Sequence, residues 1–498
     1  MSFQMRISDR LLKPAEQQLA KLCTDRFASR LFEQDATLWG EKAEAEASIR
    51  LGWVDPFAIA ERVLQEAAQL RDELHSRNID RIVLCGMGGS SLGPEVIACE
   101  AGVQLTVLDS THPDVVSRAL NADLSRTAVV VSSKSGGTVE TRSHAELFRA
   151  AFLAADLDPT THMIYVTDPG SALASLAKQG YRVFLADPHV GGRFSALTAF
   201  GIVPTVLAGA DAARMVADAR KIVHLLRTDS PENPALQLAA AISAALPDHF
   251  VLLMQEGPDA RWGLGNWVEQ LVAESTGKNG VGVLPIALPS DAPEFTTVPK
   301  NALTVALNHA AGTDSHDISL LAPLGAQMLF WEVATAALGR LMGINPFDQP
   351  DVESAKVAAR TSLQLSTDIA AQSEQFTEAE LVERLRHAVT ETGYVALQAF
   401  VDQHSPLGNR AVELREWLAA KLGVPVALGW GPRYLHSTGQ LHKGGPAVGA
   451  YVQLIDASVA ELPIPAETDG FKALMAAQAR GDREVLEQHG RTVLTLTQ

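Results

Sequence analysis

Apolar positions along this chain fall into two kinds of run. From about residue 10 to 75 they recur at helical spacing, interrupted at Leu51-Gly52-Trp53 and Pro56. Beyond that, short continuous apolar stretches alternate with helical ones. Strands are expected at 81–87, 105–109, 127–131, 163–167 and 181–185, with helices at 93–101 and 140–153. After the Pro-bearing connector 229–234 a second series offers strands at 250–254, 281–286, 303–307, 394–398, 424–428 and 450–454. Strands that are apolar throughout, separated by helices, predict parallel sheets covered on both faces. The expected class is therefore α/β: a helical N-terminal segment (1–75) followed by two doubly wound parallel-sheet units (76–230 and 231–498). Ligands in such sheets bind beyond the carboxyl ends of the strands.

Composition narrows the function. The chain has 498 residues, 47% of them hydrophobic and 20% charged, with 41 basic against 58 acidic side chains and a net charge of −17. That field disfavours nucleic acid or an anionic membrane surface as partner, and an anionic substrate would need locally placed cations. Three cysteines without metal-like spacing, and an N-terminus lacking an apolar signal core, point to a reduced cytoplasmic setting. The most apolar helical run, 323–344, carries Gln327, Glu332 and Arg340 and reads as a buried domain helix.

Chemistry concentrates in a few turns. The strand at 127–131 empties into Ser132, Ser133, Lys134, Ser135, Thr138 and Thr141 just where a helix begins. Hydroxyls and free N–H groups at a helix N-terminus suit a phosphate ester; the competing reading is a Ser/Thr turn capping its own helix. The first strand runs into Gly86-Met87-Gly88-Gly89-Ser90-Ser91-Leu92-Gly93. A dinucleotide fingerprint, with Asp109 as its acid, competes here, but Ser91 stands where that fingerprint has its third glycine. Arg193 follows two glycines and could meet a developing oxyanion. Glu274 falls in the last turn of a helix that Gly277 can end, where a carboxylate is poorly placed for stability and well placed to take up a proton. The alternative there is an i,i+4 pair with Lys278. Lys356 opens a helix after a Pro-punctuated loop and by default is solvated. His436, His442 and Lys443 share a Gly-bearing loop; two histidines six apart make no metal site.

Taken together, these segments resemble glucose-6-phosphate isomerases of the sugar isomerase domain superfamily. The matching stretches are 86–94, 133–141, 191–195, 274–278, 345–356 and 437–442. The form resembles the isomerase portion of bacterial transaldolase/isomerase fusions, with no transaldolase segment among these residues. The resemblance implies flavodoxin-like three-layer sandwiches and reversible interconversion of glucose 6-phosphate and fructose 6-phosphate through ring opening and a cis-enediolate. It implies that Ser133, Lys134, Ser135, Thr138 and Thr141 hold the phosphate, while Gly88, Gly89 and Ser90 line the sugar and Gln270 contacts it. Glu274 would move the proton, Arg193 would stabilise the enediolate, and Lys356 and His442 would assist ring opening. It implies no metal or organic cofactor, and a homodimer whose site borrows this histidine from the partner. The histidine stands one residue later than the family pattern, so His436 is the alternative, and the 345–356 segment precedes the 437–442 segment instead of following it. Another phosphosugar, such as mannose 6-phosphate or an amino-sugar phosphate, or a non-catalytic sugar-phosphate sensor, are the rival functions.

Overall fold

Val129, Val130 and Val131 are β-branched and fully buried, which suits an inner strand screened on both faces. In the computed structural model, which describes residues 3–258, 261–309, 316–351 and 377–497, they lie in a five-stranded sheet. Its strands are β2 (Arg81–Gly86), β3 (Thr106–Leu108), β4 (Thr127–Ser132), β5 (Met163–Thr167) and β6 (Arg182–Leu185). All pairs are parallel and the order is β3-β2-β4-β5-β6. The direction of winding reverses between β2 and β4, so a crevice opens beyond their carboxyl ends. Gly86 pairs with Ser132 in register, so the turns leaving these two strands emerge side by side.

The second series of strands divides between two sheets, where the sequence suggested one unit. β7 (Val251–Glu256), β8 (Leu284–Leu288), β9 (Ala302–Leu307) and β10 (Ile318–Leu321) form one; β11 (Tyr394–Phe400), β12 (Val426–Trp430), β13 (Gly449–Ile455) and β14 (Thr492–Thr497) form the other. Each is parallel throughout these strands. The parallel α/β class holds. What the periodicity could not supply were the short strand β10, the edge strand β14, and the edge strand β1 (Gln4–Ile7), which pairs antiparallel with β10 although it lies in the segment read as helical. Strands of four residues, and edge strands with one wet face, leave too weak an apolar signal.

One apolar core joins the N-terminal helices to the first two sheets, running from Leu11, Leu22 and Phe27 to Leu238 and Trp331. The third sheet is welded on elsewhere: Ile464, Phe471 and Leu474 pack against Val83, Val129 and Val131 of the first sheet. Tyr394, Ala396 and Tyr451 pack against Val251, Leu253 and Leu284 of the second. No helix among the described residues is long and apolar enough to cross a membrane.

Candidate active site

Thr138 occupies the N-cap of the helix Val139–Ala154, yet its side chain makes no capping bond. Its Oγ1 lies 3.2 Å from Ser133 Oγ, which accepts from the Gly136 N–H at 3.2 Å. The hydroxyls are thus turned towards one another around the loop, and the capping reading loses its main support. Gly136 takes φ +73°, a left-handed conformation that costs a glycine little. Ser135 is exposed and accepts from the Gly137 N–H. Thr141 is set back: it is buried, and its Oγ1 has no partner among the described residues. Lys134 is already engaged, paired with Asp168 and donating to Pro188 O at 3.1 Å. It borders a cleft of about 290 Å³ shared with Arg50, Gly191, Gly192 and Gln349.

The glycine turn after β2 serves close approach. A Cβ on Gly89 would sit 1.9 Å from Gly192 O, and one on Gly88 would sit 2.7 Å from His436 O. Gly88 also adopts φ +57°. Three turns therefore meet backbone to backbone: 88–90 after β2, 191–194 carrying Arg193, and Arg433–His436 after β12. Ser90 is buried in the first of them. Asp109 does not serve a nucleotide; it bonds Arg433 Nε at 2.6 Å.

Glu274 arrives from another direction. The helix Leu264–Thr276 connects the parallel strands β7 and β8, so it runs against them and delivers its C-terminal turn towards the first sheet's crevice. Glu274 is 8% exposed and its Oε1 lies 3.3 Å from Arg193 Nη1. The anticipated i,i+4 pair with Lys278 does not form. The helix ends before Lys278, whose Nζ donates to Asp348 Oδ1 (2.6 Å) and to the carbonyls of Asn345 and Asp348 (2.7 Å each). Burial, helped by Arg193 and opposed by Asp348, pulls the Lys278 ammonium down to about 8. Arg193 is itself buried, donating to Ser275 Oγ (2.8 Å), Gln349 Oε1 (2.6 Å) and Pro346 O (2.6 Å). Burial holds its guanidinium below the usual range, against the pull of Glu274.

A hydrogen-bond chain links Glu274 to the helix that begins at the hydroxyl-lined loop. Gln270 Nε2 donates to Glu274 Oε2 (3.1 Å) and to His436 O (2.9 Å), and His436 Nε2 lies 2.8 Å from Oε1 of Glu140, in the first turn of the helix Val139–Ala154. Burial pushes the Glu140 carboxyl up, but the His436 charge and hydrogen bond outweigh it and leave it below its ordinary value. Gln478 also donates to Glu140 (2.7 Å). His442 lies apart from this chain of contacts. Its Nδ1 meets Tyr394 Oη at 3.1 Å, its ring stacks on that tyrosine, and burial with Lys443 and Arg491 drives it down to about 3. Lys443 pairs with buried Asp482. Lys356 lies outside the described residues.

The family model described as phosphoglucose isomerase matches residues 63–280, which hold both turns of the crevice, Arg193 and Glu274. Residues 63–280 are thus a phosphoglucose isomerase-like region of this chain. Relatives include a glucose-6-phosphate isomerase of Thermus thermophilus, 29% identical over 64% of this chain and 91% of the relative. A probable glucose-6-phosphate isomerase of Methanococcus maripaludis is 29% identical over 58% and 80%. Among solved structures, a hypothetical protein of Thermus thermophilus superposes with TM-score 0.62 at 26% identity, covering 73% of this chain and all of that one. A glucose-6-phosphate isomerase from Chlamydia trachomatis, at 20% identity and TM-score 0.57 over 78% and 92%, shares the fold.

Within this phosphoglucose isomerase-like chain, sequence reasoning overlooked Glu140, Gln349, Arg433 and Gln478. Only Glu140 carried a usable local signal, lying two residues beyond the Thr138 N-cap, where a carboxylate favours the helix dipole.

Proposed function

We propose that the chain interconverts glucose 6-phosphate and fructose 6-phosphate, with Glu274 as the proton-shuttling base. One observation supports this above all: Glu274 pairs with a buried guanidinium and is linked through Gln270 and His436 to the helix that begins at the hydroxyl-lined loop. The 6-phosphate sits at that loop, against Ser133, Ser135, Thr138 and the N-terminus of the helix Val139–Ala154, with Lys134 supplying charge at its edge. His436, oriented by Glu140, hands a proton to the ring oxygen as the bond from C1 to that oxygen breaks. The C1 hydroxyl meanwhile gives up its own proton to water, and its oxygen becomes the aldehyde carbonyl. Glu274 then takes the C2 proton; the electron pair forms the C1–C2 double bond, and negative charge gathers on the former aldehyde oxygen. Arg193 meets that charge with a guanidinium already held in place, so little reorganisation is needed in the transition state. A proton passes from the C2 hydroxyl to the C1 oxygen, and return of the proton from Glu274 to C1 then leaves a hydroxyl at C1 and a carbonyl at C2. Gly88, Gly89, Ser90 and Gln270 line the sugar, and Lys356 completes ring opening as the resemblance implies. The reaction needs no metal or organic cofactor, and its setting is the cytoplasm. The family resemblance adds a homodimer to the reading.

A coupled assay with glucose 6-phosphate, run beside mannose 6-phosphate and glucosamine 6-phosphate, tests the substrate. Glu274→Gln keeps the shape and removes the base: turnover is expected to fall by at least about 10³-fold while a sugar-phosphate analogue still binds. Near-normal turnover in that variant would exclude Glu274 as the base.

A further inference from the structure

Arg50 stands where a helix has just ended. The helix Glu41–Ala47 gives way to a turn, and the residue after Arg50, Leu51, pairs antiparallel with Val190. The Gly52 N–H donates to His189 O at 3.0 Å, and a Cβ on Gly52 would stand 2.6 Å from Asp187 Oδ2. Backbone pairing thus fixes the N-terminal segment against residues 187–190, immediately before the turn that carries Arg193. It sets Arg50 on the wall of the cleft of about 290 Å³ that also holds Lys134, Gly191, Gly192 and Gln349. Arg50 Nη1 donates to Pro188 O at 3.3 Å, and Lys134 Nζ donates to the same carbonyl at 3.1 Å. Two cationic side chains from different parts of the fold therefore converge on one oxygen.

We infer that Arg50 is a second cation for the substrate's phosphate, lent by the N-terminal segment to the loop that carries Lys134. The inference deepens the phosphate placement proposed above and rests on it. Charge matching carries the argument. Four cations lie at or beside the cleft, and each has a carboxylate: Lys134 with Asp168, Arg193 with Glu274, Lys278 with Asp348, and Arg50 with Glu46. These fixed charges cancel, in a chain whose net charge is −17, so a phosphate dianion draws on whichever pair gives way most easily. Arg193 and Lys278 are buried, and Asp168 keeps only 16% of its side chain exposed. Arg50 and Glu46 keep 24% and 34%, and an exposed i,i+4 pair of this kind is weak. Glu46 engages only the Arg50 Nε, at 2.7 Å, and Nη2 donates to no partner among the described residues. A guanidinium held in this way can add a charge-assisted bond to a phosphate oxygen without leaving its seat. Asp168 feels the same charge: burial pushes its carboxyl up, and Lys134 and Arg50 both pull against that.

The deciding experiment measures inorganic phosphate binding by calorimetry, beside steady-state kinetics on glucose 6-phosphate. Arg50→Gln is expected to raise the phosphate Kd and the KM by about tenfold each, to change kcat less than threefold, and to flatten the dependence of KM on salt. Arg50→Lys keeps the charge and should recover most of the loss. Glu46→Gln removes the competing carboxylate and should shift Kd and KM the other way, by up to about threefold. An Arg50→Gln chain with unchanged phosphate affinity would overturn the assignment. So would a loss of kcat at constant KM, which would make Arg50 a brace for the Arg193 turn, or weaker phosphate binding in Glu46→Gln, which would make the pair a brace as a whole. Calorimetry keeps the two readings apart. A wild type that binds phosphate but turns over no hexose phosphate defeats the reaction alone, and Arg50 then stands or falls on phosphate affinity; a wild type that binds no phosphate defeats the assignment.

Discussion

Two histidines six residues apart, His436 and His442, show how position decides chemistry. His442 is sealed beneath Tyr394 and Tyr451, with Lys443 and Arg491 near enough to oppose a second positive charge. Neutral imidazole is its native form, and its proton affinity falls from the ordinary 6.5 to about 3. An unfolded chain binds a proton there between these values and the native one does not, so stability is lost as pH falls through that window. Replacing His442 by Gln removes the titration. Between pH 6.5 and 4 the wild type should lose roughly 2–3 kcal/mol more than this variant, read from urea unfolding. Parallel curves would mean that water reaches the ring. His436 is only partly buried, and its ring is bonded to Glu140.

At the scale of elements, the site is a meeting of turns. The 88–90 and 191–194 turns touch through backbone, with no side chain between them, which is why Gly89 is intolerant: its Cβ would stand 1.9 Å from Gly192 O. Gly89→Ala must push the Arg193 turn outwards. If Arg193 acts as proposed, a displacement near 1 Å there is expected to lower kcat/KM by about 10²-fold. The strain itself should cost about 1–3 kcal/mol. Steady-state kinetics beside thermal melting checks both, and an unchanged kcat/KM would show that the two turns can part without harm. This pattern also explains what could be read from the sequence. The loop at 132–141 and the last-turn position of Glu274 were legible because a strand-to-helix junction and a helix end are written in neighbouring residues. The bonds of Arg433 to Asp109 and Glu95 were not: these partners lie 324 and 338 residues away, and only the packing of two sheets brings them together. Lys278 misled for a related reason. Spacing alone matched it to Glu274, but the helix stops at Thr276, and the side chain turns to the Asp348 loop.

For the molecule as a whole, the N-terminal segment is a buttress for Arg193. An aromatic row starts at Phe27, passes edge-on to Trp39 (6.0 Å) and then Phe347 (4.8 Å), and reaches Phe194 (5.6 Å), on which Trp53 stacks at 4.9 Å. Phe194 is Arg193's neighbour, and Phe347 sits in the loop whose Pro346 carbonyl and Gln349 amide oxygen hold the guanidinium. Trp39 is anchored in turn by its indole N–H to Ala336 O at 2.9 Å. These side chains thereby set where the Arg193 charge is held, and the row includes no residue of the loop at 133–138. The two functions of the site should separate on that ground. Trp53→Leu leaves a void beneath Phe194, costing roughly 2–4 kcal/mol of stability. It should lower kcat about tenfold through a displaced Arg193, while KM changes less than threefold because the phosphate loop is undisturbed. Kinetics below the variant's melting range measures the split. A raised KM at constant kcat would mean that this segment supports binding of the sugar phosphate instead, and a loss of stability with both constants unchanged would reduce it to scaffolding.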